Sequence, residues 1–387
     1  MSKIYENENL TMRFFTTIGI ILVVAGHLGF DALSLGGLFP YYSFHIYIFL
    51  FVAGFFYNPD DENRVWAYIL KKIKRFLVPY LIFNLLYGVL STVLNLRGVY
   101  VGHGISLYNL LVAPFLGGHQ FMFNAPAWFV VALFVVEIIY ILSRIGFNII
   151  TSNEHVIELG MLVLFLGLGI ATIYLAINGH AWGFYKNIGR WLLMLPGICF
   201  GRCFRVYVQP FVRTTLAKIY DKAGLERRSM INVLSYVIYF AVIIAIQYMI
   251  VINTAGLNIS VLWCTSFSNG PVIPFITALT GMAFWYGIAS LLAKCTKLSF
   301  LANVGRHSYS IMMHHFFVLF LINTVCGLIV NFSGSFDLAL YNTDITYQYL
   351  YMGEGITQLV NTVICIVLPV LGAMLWLKSP ICDKIKL

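Results

Sequence analysis

Long apolar runs separated by short polar clusters set the pattern of this chain. Ten of them approach the roughly 20 residues that a helix needs to cross a bilayer core of about 30 Å. They are residues 13–30, 40–57, 76–95, 126–143, 156–177, 187–207, 230–253, 272–293, 307–330 and 356–377. The sixth is the least apolar, with Arg190 and Arg202 pressing on its ends. The stretch Ser106–Phe123 is apolar too, but Pro114, Gly117 and Gly118 break it, which reads as a re-entrant or interfacial segment. The pattern predicts an all-α fold, a polytopic membrane helix bundle of about ten transmembrane helices. It forms one integral membrane domain over residues 1–387, with no internal repeat and no second soluble domain.

Composition agrees. Of 387 residues, 60% are apolar and only 10% charged, against about 25% charged in an ordinary soluble domain. Disordered, coiled-coil and disulfide-scaffold classes are excluded on the same ground. The net charge of +9 raises nucleic acid as a partner, but the placement of the cations points elsewhere. With the N-terminus inside, 21 of the 24 basic residues fall on one side, and only Arg97, Lys186 and Arg190 on the other. That asymmetry predicts both termini in the cytoplasm, an even number of spans, and anionic lipid rather than nucleic acid as the basic partner. The first run lacks a small-residue cleavage site after Phe30, so it reads as a span rather than a signal peptide. Of seven cysteines only Cys264 falls in an outer loop, so no disulfide is expected, and Cys199 and Cys203 read as packing residues rather than metal ligands.

Polar side chains inside apolar spans are expensive, and each asks for a reason. His27 closes the run from Gly19 in the first span; His45 lies near the start of the second. Counted at 1.5 Å per residue, they lie ~5 and ~8 Å below the outer face, so the two imidazoles could share a site there, with Gly26 and Gly54 allowing close approach. Two separately hydrogen-bonded interfacial histidines are the plainer alternative. Glu137 is the one carboxylate in the middle of a span, and His314 comes out at a similar depth, ~20 Å from the outer face. They could pair functionally or as a structural clasp. Adjacent residues of a helix point about 100° apart, so one of His314 and His315 is expected to face such a partner. The run Lys71-Lys-Ile-Lys-Arg75 precedes the third span. It suits anchoring to lipid head groups, or a cradle for a phosphorylated cytosolic ligand in which Arg75 grips phosphate bidentately. Trp128 opens the fourth span as a belt residue or a stacking surface, and Arg13 near the inner face reads as an anchor.

Taken together these stretches resemble acyltransferase family 3, the integral membrane acyltransferases, and in particular its fucose-4-O-acetylase-like branch. The resemblance rests on the aliphatic run ending in Gly26-His27, on Ser43-Phe-His45 through Gly54, on the basic run followed by Phe76-Leu-Val-Pro-Tyr80, on Ala127-Trp-Phe-Val-Val-Ala-Leu-Phe134, and on Gly305-Arg-His-Ser-Tyr-Ser-Ile-Met-Met-His314. They occur in the family's order. Two departures stand out. The family's basic residue eleven positions before the first histidine aligns with Thr16, and Arg13, one turn earlier on nearly the same face, is the residue expected to replace it. Its Met-Pro after the second histidine is Ile46-Tyr47 here.

The resemblance implies O-acetylation, in the cell membrane, of an exported or lipid-linked glycan, with acetyl-CoA from the cytosol as donor and no metal. It implies His27 as general base or acyl acceptor and His45 as its orienting partner or an oxyanion donor. It also implies Arg75 on a CoA phosphate with Arg13 and His314 as further donor-site residues, and Trp128 and Glu137 toward the acceptor. The rival reading is a proton-coupled transporter or flippase of a sugar or lipid-linked glycan using Glu137 and His314. It expects a repeat that the chain lacks. A non-catalytic partner of a glycan-assembly complex is the third.

Overall fold

Apolar runs this long cannot leave backbone amides unpaired in lipid, so they close their hydrogen bonds within helices. In the computed structural model the described residues are 9–100, 102–118, 121–181, 183–223, 228–254, 259–260, 266–267, 269–295 and 301–378. Helices account for nearly all regular structure among them: α1 Leu10–His27, α2 His45–Phe55, α3 Val65–Lys72, α4 Val78–Asn95, α5 Ala113–Leu116, α6 Trp128–Ile150, α7 Glu154–Ile177 and α8 Gly183–Cys203. They continue with α9 Gln209–Ala223, α10 Arg228–Ile252, α11 Ile273–Leu292, α12 Ala302–Arg306, α13 Ser308–Ile329, α14 Leu338–Thr343 and α15 Ile356–Leu377. One two-residue antiparallel pair, Ile259–Ser260 with Ser266–Phe267, lies between α10 and α11.

Among the described residues nine helical segments are long and apolar enough to cross a membrane. The expected second span is the exception. It runs from Tyr41 to Phe55, and its α-helical part of 11 residues is only ~16 Å long. The third joins a 3-10 turn, α3, a π-helical turn at Ile73–Leu77 and α4 into one rod from Pro59 to Asn95. The broken segment after it holds a wide turn, Tyr108–Val112, and the short α5. Exposed Leu, Ile and Val side chains cover the outer faces of α4, α7, α10 and α15, as a lipid-facing surface requires. The protein is therefore a polytopic helical membrane protein.

The described chain divides into two compact units, interleaved along the sequence. The first comprises Met1–Thr16, Ser34–Val65 and Val136–Thr296; the second comprises Thr17–Leu33, Trp66–Val135 and Lys297–Leu387.

In the first unit α2 is held by α8 through direct backbone contact. A Cβ on Gly54 would lie 1.9 Å from the Ile198 carbonyl oxygen, and one on Gly201 would lie 1.9 Å from that of Phe51. Only glycine permits this approach. The Tyr47 hydroxyl adds a bond of 2.6 Å to the Leu193 carbonyl. A short α2 is thus buried by protein rather than by lipid. Beside it sits an ion network. Arg144, wholly buried, donates to Glu62 and Glu158 at 2.5 Å and to Glu154 at 2.8 Å. Arg202 donates to Glu158 at 2.7 Å, and Arg205 donates to the Phe55 carbonyl at 2.9 Å, closing the C-terminus of α2. Two of the cations that build the sequence's charge asymmetry, Arg144 and Arg202, are therefore neutralised inside the protein.

In the second unit an aromatic cluster that includes Tyr87, Phe121, Phe123, Phe316, Phe320 and Tyr341 fills the core. Its loops are pinned to the helices by amides. Asn323 of α13 donates to the Tyr347 carbonyl at 2.6 Å and accepts from the Tyr349 amide at 3.0 Å. Gln348 donates to the Leu28 carbonyl at 2.8 Å and accepts from Asn361 of α15 at 2.9 Å.

Candidate active site

The second unit gathers three imidazoles. His27 is the last residue of α1, half-buried, and the Gln348 bond to the next residue fixes where the helix stops. Its ring stacks on His315 of α13, centroids 5.5 Å apart and planes 26° from parallel, while Phe316 meets it edge-on at 5.1 Å. His315 is wholly buried. Its Nδ1 lies 2.8 Å from the Ile311 carbonyl. A carbonyl only accepts, so Nδ1 carries the hydrogen and Nε2 carries the lone pair of the neutral ring. That Nε2 has no hydrogen-bond partner among the described residues.

His314 faces another way, as neighbours on a helix must. Its Nδ1 is 2.6 Å from the Tyr87 hydroxyl of α4, and the Phe83 ring packs edge-on at 4.5 Å. A carboxylate such as Glu137 was the partner expected for one of the two; His314 meets a tyrosine hydroxyl and His315 meets the ring of His27 instead. The stack also revises the depths counted from the sequence. α13 runs 14 residues beyond His315, ~21 Å, whereas α1 ends at the histidine stacked on it. The helices do not share one outer plane, so residue counts to helix ends misplaced His314 relative to His27.

On the same unit the basic run lies in the rod that leads into α4. Arg75 is exposed within the π-turn, its guanidinium 5.5 Å over the Phe76 ring, and Lys71 and Lys74 are exposed beside it. The Phe76 carbonyl accepts from the Tyr309 hydroxyl of α13 at 3.0 Å. Tyr309 and His315 are six residues apart on one helix, ~9 Å of rise, so α13 links the basic turn to the imidazole stack. Trp128 opens α6 with only 5% of its surface exposed, edge-on to Phe129 at 6.1 Å. Its ring faces protein, which removes the belt reading.

The first unit holds the other candidates. His45 opens α2, buried, with Nδ1 2.5 Å from the Tyr41 carbonyl and the Tyr42 ring edge-on at 5.4 Å. Its hydrogen is therefore also on Nδ1, and the neutral ring offers a lone pair at Nε2 but no N–H. That tautomer suits an acceptor and counts against the oxyanion-donor role. Glu137 is buried in the middle of α6, and Arg13 is half-buried in the first turn of α1.

Three features escaped the sequence reading: the His315 partnership, the Tyr87 hydroxyl and the Gln348 tether. Tyr87 had a signal, since Tyr80, Asn84, Tyr87 and Ser91 recur at helical spacing in an apolar span. The Gln348 tether had none. Among the described residues no group of three or more His, Cys, Asp or Glu side chains is placed to hold a metal ion.

The structure is thus that of a multi-pass helical protein with buried imidazoles and an exposed basic turn in the same unit. A family model described as an acyltransferase domain, that of acyltransferase family 3, matches residues 15–377. The chain belongs to that family, and is a membrane acyltransferase. No curated protein and no solved structure matches it.

Proposed function

We propose that this protein is an O-acetyltransferase of the fucose-4-O-acetylase-like branch, resident in the cell membrane. In this reading it moves an acetyl group from cytosolic acetyl-CoA to a hydroxyl of an exported or lipid-linked glycan. The observation that carries the proposal is the stack of His27 on His315 in an uncharged interior. A half-buried imidazole held against a second ring by a tethered helix end supports the role of a base over that of a lipid anchor.

The donor set at the basic turn fits CoA. Lys71, Lys74 and Arg75 are exposed cations, and phosphates are what such a set recognises. Acetyl-CoA supplies an acyl group activated as a thioester. His27 takes the proton of the acceptor hydroxyl as that oxygen attacks the thioester carbonyl, then returns it to the departing thiolate. His315 holds the plane of the His27 ring. His45 serves as an acceptor through Nε2, with Arg13 and His314 supporting the donor side and Trp128 and Glu137 the acceptor side.

The test uses sealed membrane vesicles of both orientations and radiolabelled acetyl-CoA. Label should pass to glycan only when acetyl-CoA meets the cytoplasmic face, the side to which the charge asymmetry of the sequence assigns Arg75. Transport of glycan with no label incorporated in either orientation would replace the enzyme by the flippase.

A further inference from the structure

A reacting group must be held to within about 0.5 Å of its productive geometry, and the end of a helix is the part that frays. His27 is the last residue of α1, and the residues after it close that end. The Leu28 amide donates to the Val24 carbonyl at 3.0 Å and the Phe30 amide to that of Ala25 at 2.9 Å, a closure that the left-handed Gly29, φ +70°, permits. The Leu28 carbonyl lies past the last helical amide and accepts from Gln348 Nε2 at 2.8 Å.

A carbonyl only accepts, so the direction of each further bond is fixed. Gln348 presents its NH2 group to Leu28. That leaves its Oε1 for the Asn361 amide at 2.9 Å, and Asn361 Oδ1 for the Tyr351 hydroxyl at 2.8 Å. The main chain on both sides of Gln348 is held as well. Asn323 Nδ2 donates to the Tyr347 carbonyl, and Asn323 Oδ1 accepts from the Tyr349 amide. Asn323 and Asn361 are themselves buried, on α13 and α15. Gln348 thus stands on two helices and reaches a third.

The helix α13 enters twice. Asn323 lies eight residues beyond His315, ~12 Å along the same axis. His315 meets the face of the His27 ring, and Asn323, through Gln348, holds the backbone that carries it. A displacement of the end of α1 against α13 is therefore opposed both at the ring and at the main chain. A helix-end carbonyl needs only one donor. A donor anchored on two further helices fixes a position besides satisfying that carbonyl.

We infer that Gln348 is a positioning residue for the transfer reaction, clamped by Asn323 and Asn361 so that it holds the His27 imidazole on His315. The inference rests on the proposed role of His27 as base for its effect on rate, but not for where the ring sits.

The experiment places the full chain in lipid nanodiscs and takes two readouts: acetyl-transfer kinetics, and the His27 ring resonance in histidine-labelled protein, identified by its loss in His27→Ala. Gln348→Met keeps the length of the side chain and removes the donor. Its His27 resonance should move, and kcat per folded molecule should fall about tenfold or more, as for a misplaced reacting group, with the acetyl-CoA KM unchanged. Gln348→Glu keeps the acceptor for Asn361, but its carboxylate cannot donate to Leu28, and protonation restores the donor. Its kcat relative to native should therefore rise as pH falls. Thr346→Ala, exposed in the same loop, should match native protein in both readouts. A native His27 resonance or a native kcat in Gln348→Met overturns the inference, and so does a Gln348→Glu to native ratio that is flat with pH. A resonance that moves in Gln348→Met, in a chain that transfers no acetyl group even as native protein, would keep the clamp and remove the enzyme reading.

Discussion

Two buried polar clusters sit in an otherwise apolar chain, and they are built on opposite principles. In the first unit, Arg144 and Arg202 meet Glu62, Glu154 and Glu158 in a closed network in which the arginine donors are met by carboxylate oxygens. In the second, His27, His314 and His315 lie among aromatic rings, and His315 Nε2 has no hydrogen-bond partner among the described residues. In the first cluster each of the three nitrogens of the Arg144 guanidinium is met by a carboxylate, so buried charge is matched by charge. The second is neutral and leaves a lone pair open. Burial and polarity alone do not separate scaffold from chemistry; the state of the hydrogen-bond ledger does.

The comparison breaks most sharply at Arg144. Arg144→Ala leaves carboxylates buried without their cation, and losing one partner of a buried pair costs about 3–5 kcal/mol. Thermal unfolding in detergent should show that loss, while transfer per folded molecule stays near native. A folded Arg144→Ala protein that is stable but inactive would move the chemistry toward the ion network. His315→Leu should do the reverse. The protein should remain as stable as native, and kcat should fall about 10²-fold, the scale of a misplaced reacting group, with the acetyl-CoA KM unchanged. A KM effect without a kcat effect would make His315 a donor-binding residue. The smallest effect is expected at Arg75, where loss of a charged hydrogen bond, about 1.5–3 kcal/mol, should raise the acetyl-CoA KM roughly tenfold and leave kcat alone. Arg75→Lys should recover only part of it, because the bidentate fork is gone. An unchanged acetyl-CoA dependence would reduce the basic turn to a lipid anchor.

These clusters also show what a sequence can and cannot display. Apolar run length found the helical spans, because in lipid length and composition nearly determine the element. It overstated the second one, because the contact that shortens α2, Gly54 and Gly201 against the backbones of α8 and α2, is between segments far apart in sequence. Counting cations registered Arg144 as a charge on the inner face. Its partners lie in the turn before α3, for Glu62, and in the first two turns of α7, for Glu154 and Glu158, so the pairing is invisible before folding. His27 and His314 stood out as imidazoles in apolar helices, but depth counted from helix ends assumed a common plane that α1 and α13 do not share. The α4 stripe was written in the spacing of Asn84, Tyr87 and Ser91, and only burial reveals that the polar side is the inner one.

The central claim is that the imidazole at the end of α1 carries the chemistry. The direct measurement is acetyl transfer by reconstituted His27→Ala and His27→Gln, with insertion checked and acetyl-CoA binding measured separately. Both variants should insert and bind acetyl-CoA as native protein does. Both should lose transfer by about 10²–10⁴-fold, the scale of a positioned general base, with His27→Gln no better than His27→Ala because hydrogen bonding without basicity does not suffice. A well-inserted His27→Ala protein that keeps most of its transferase activity would contradict the account.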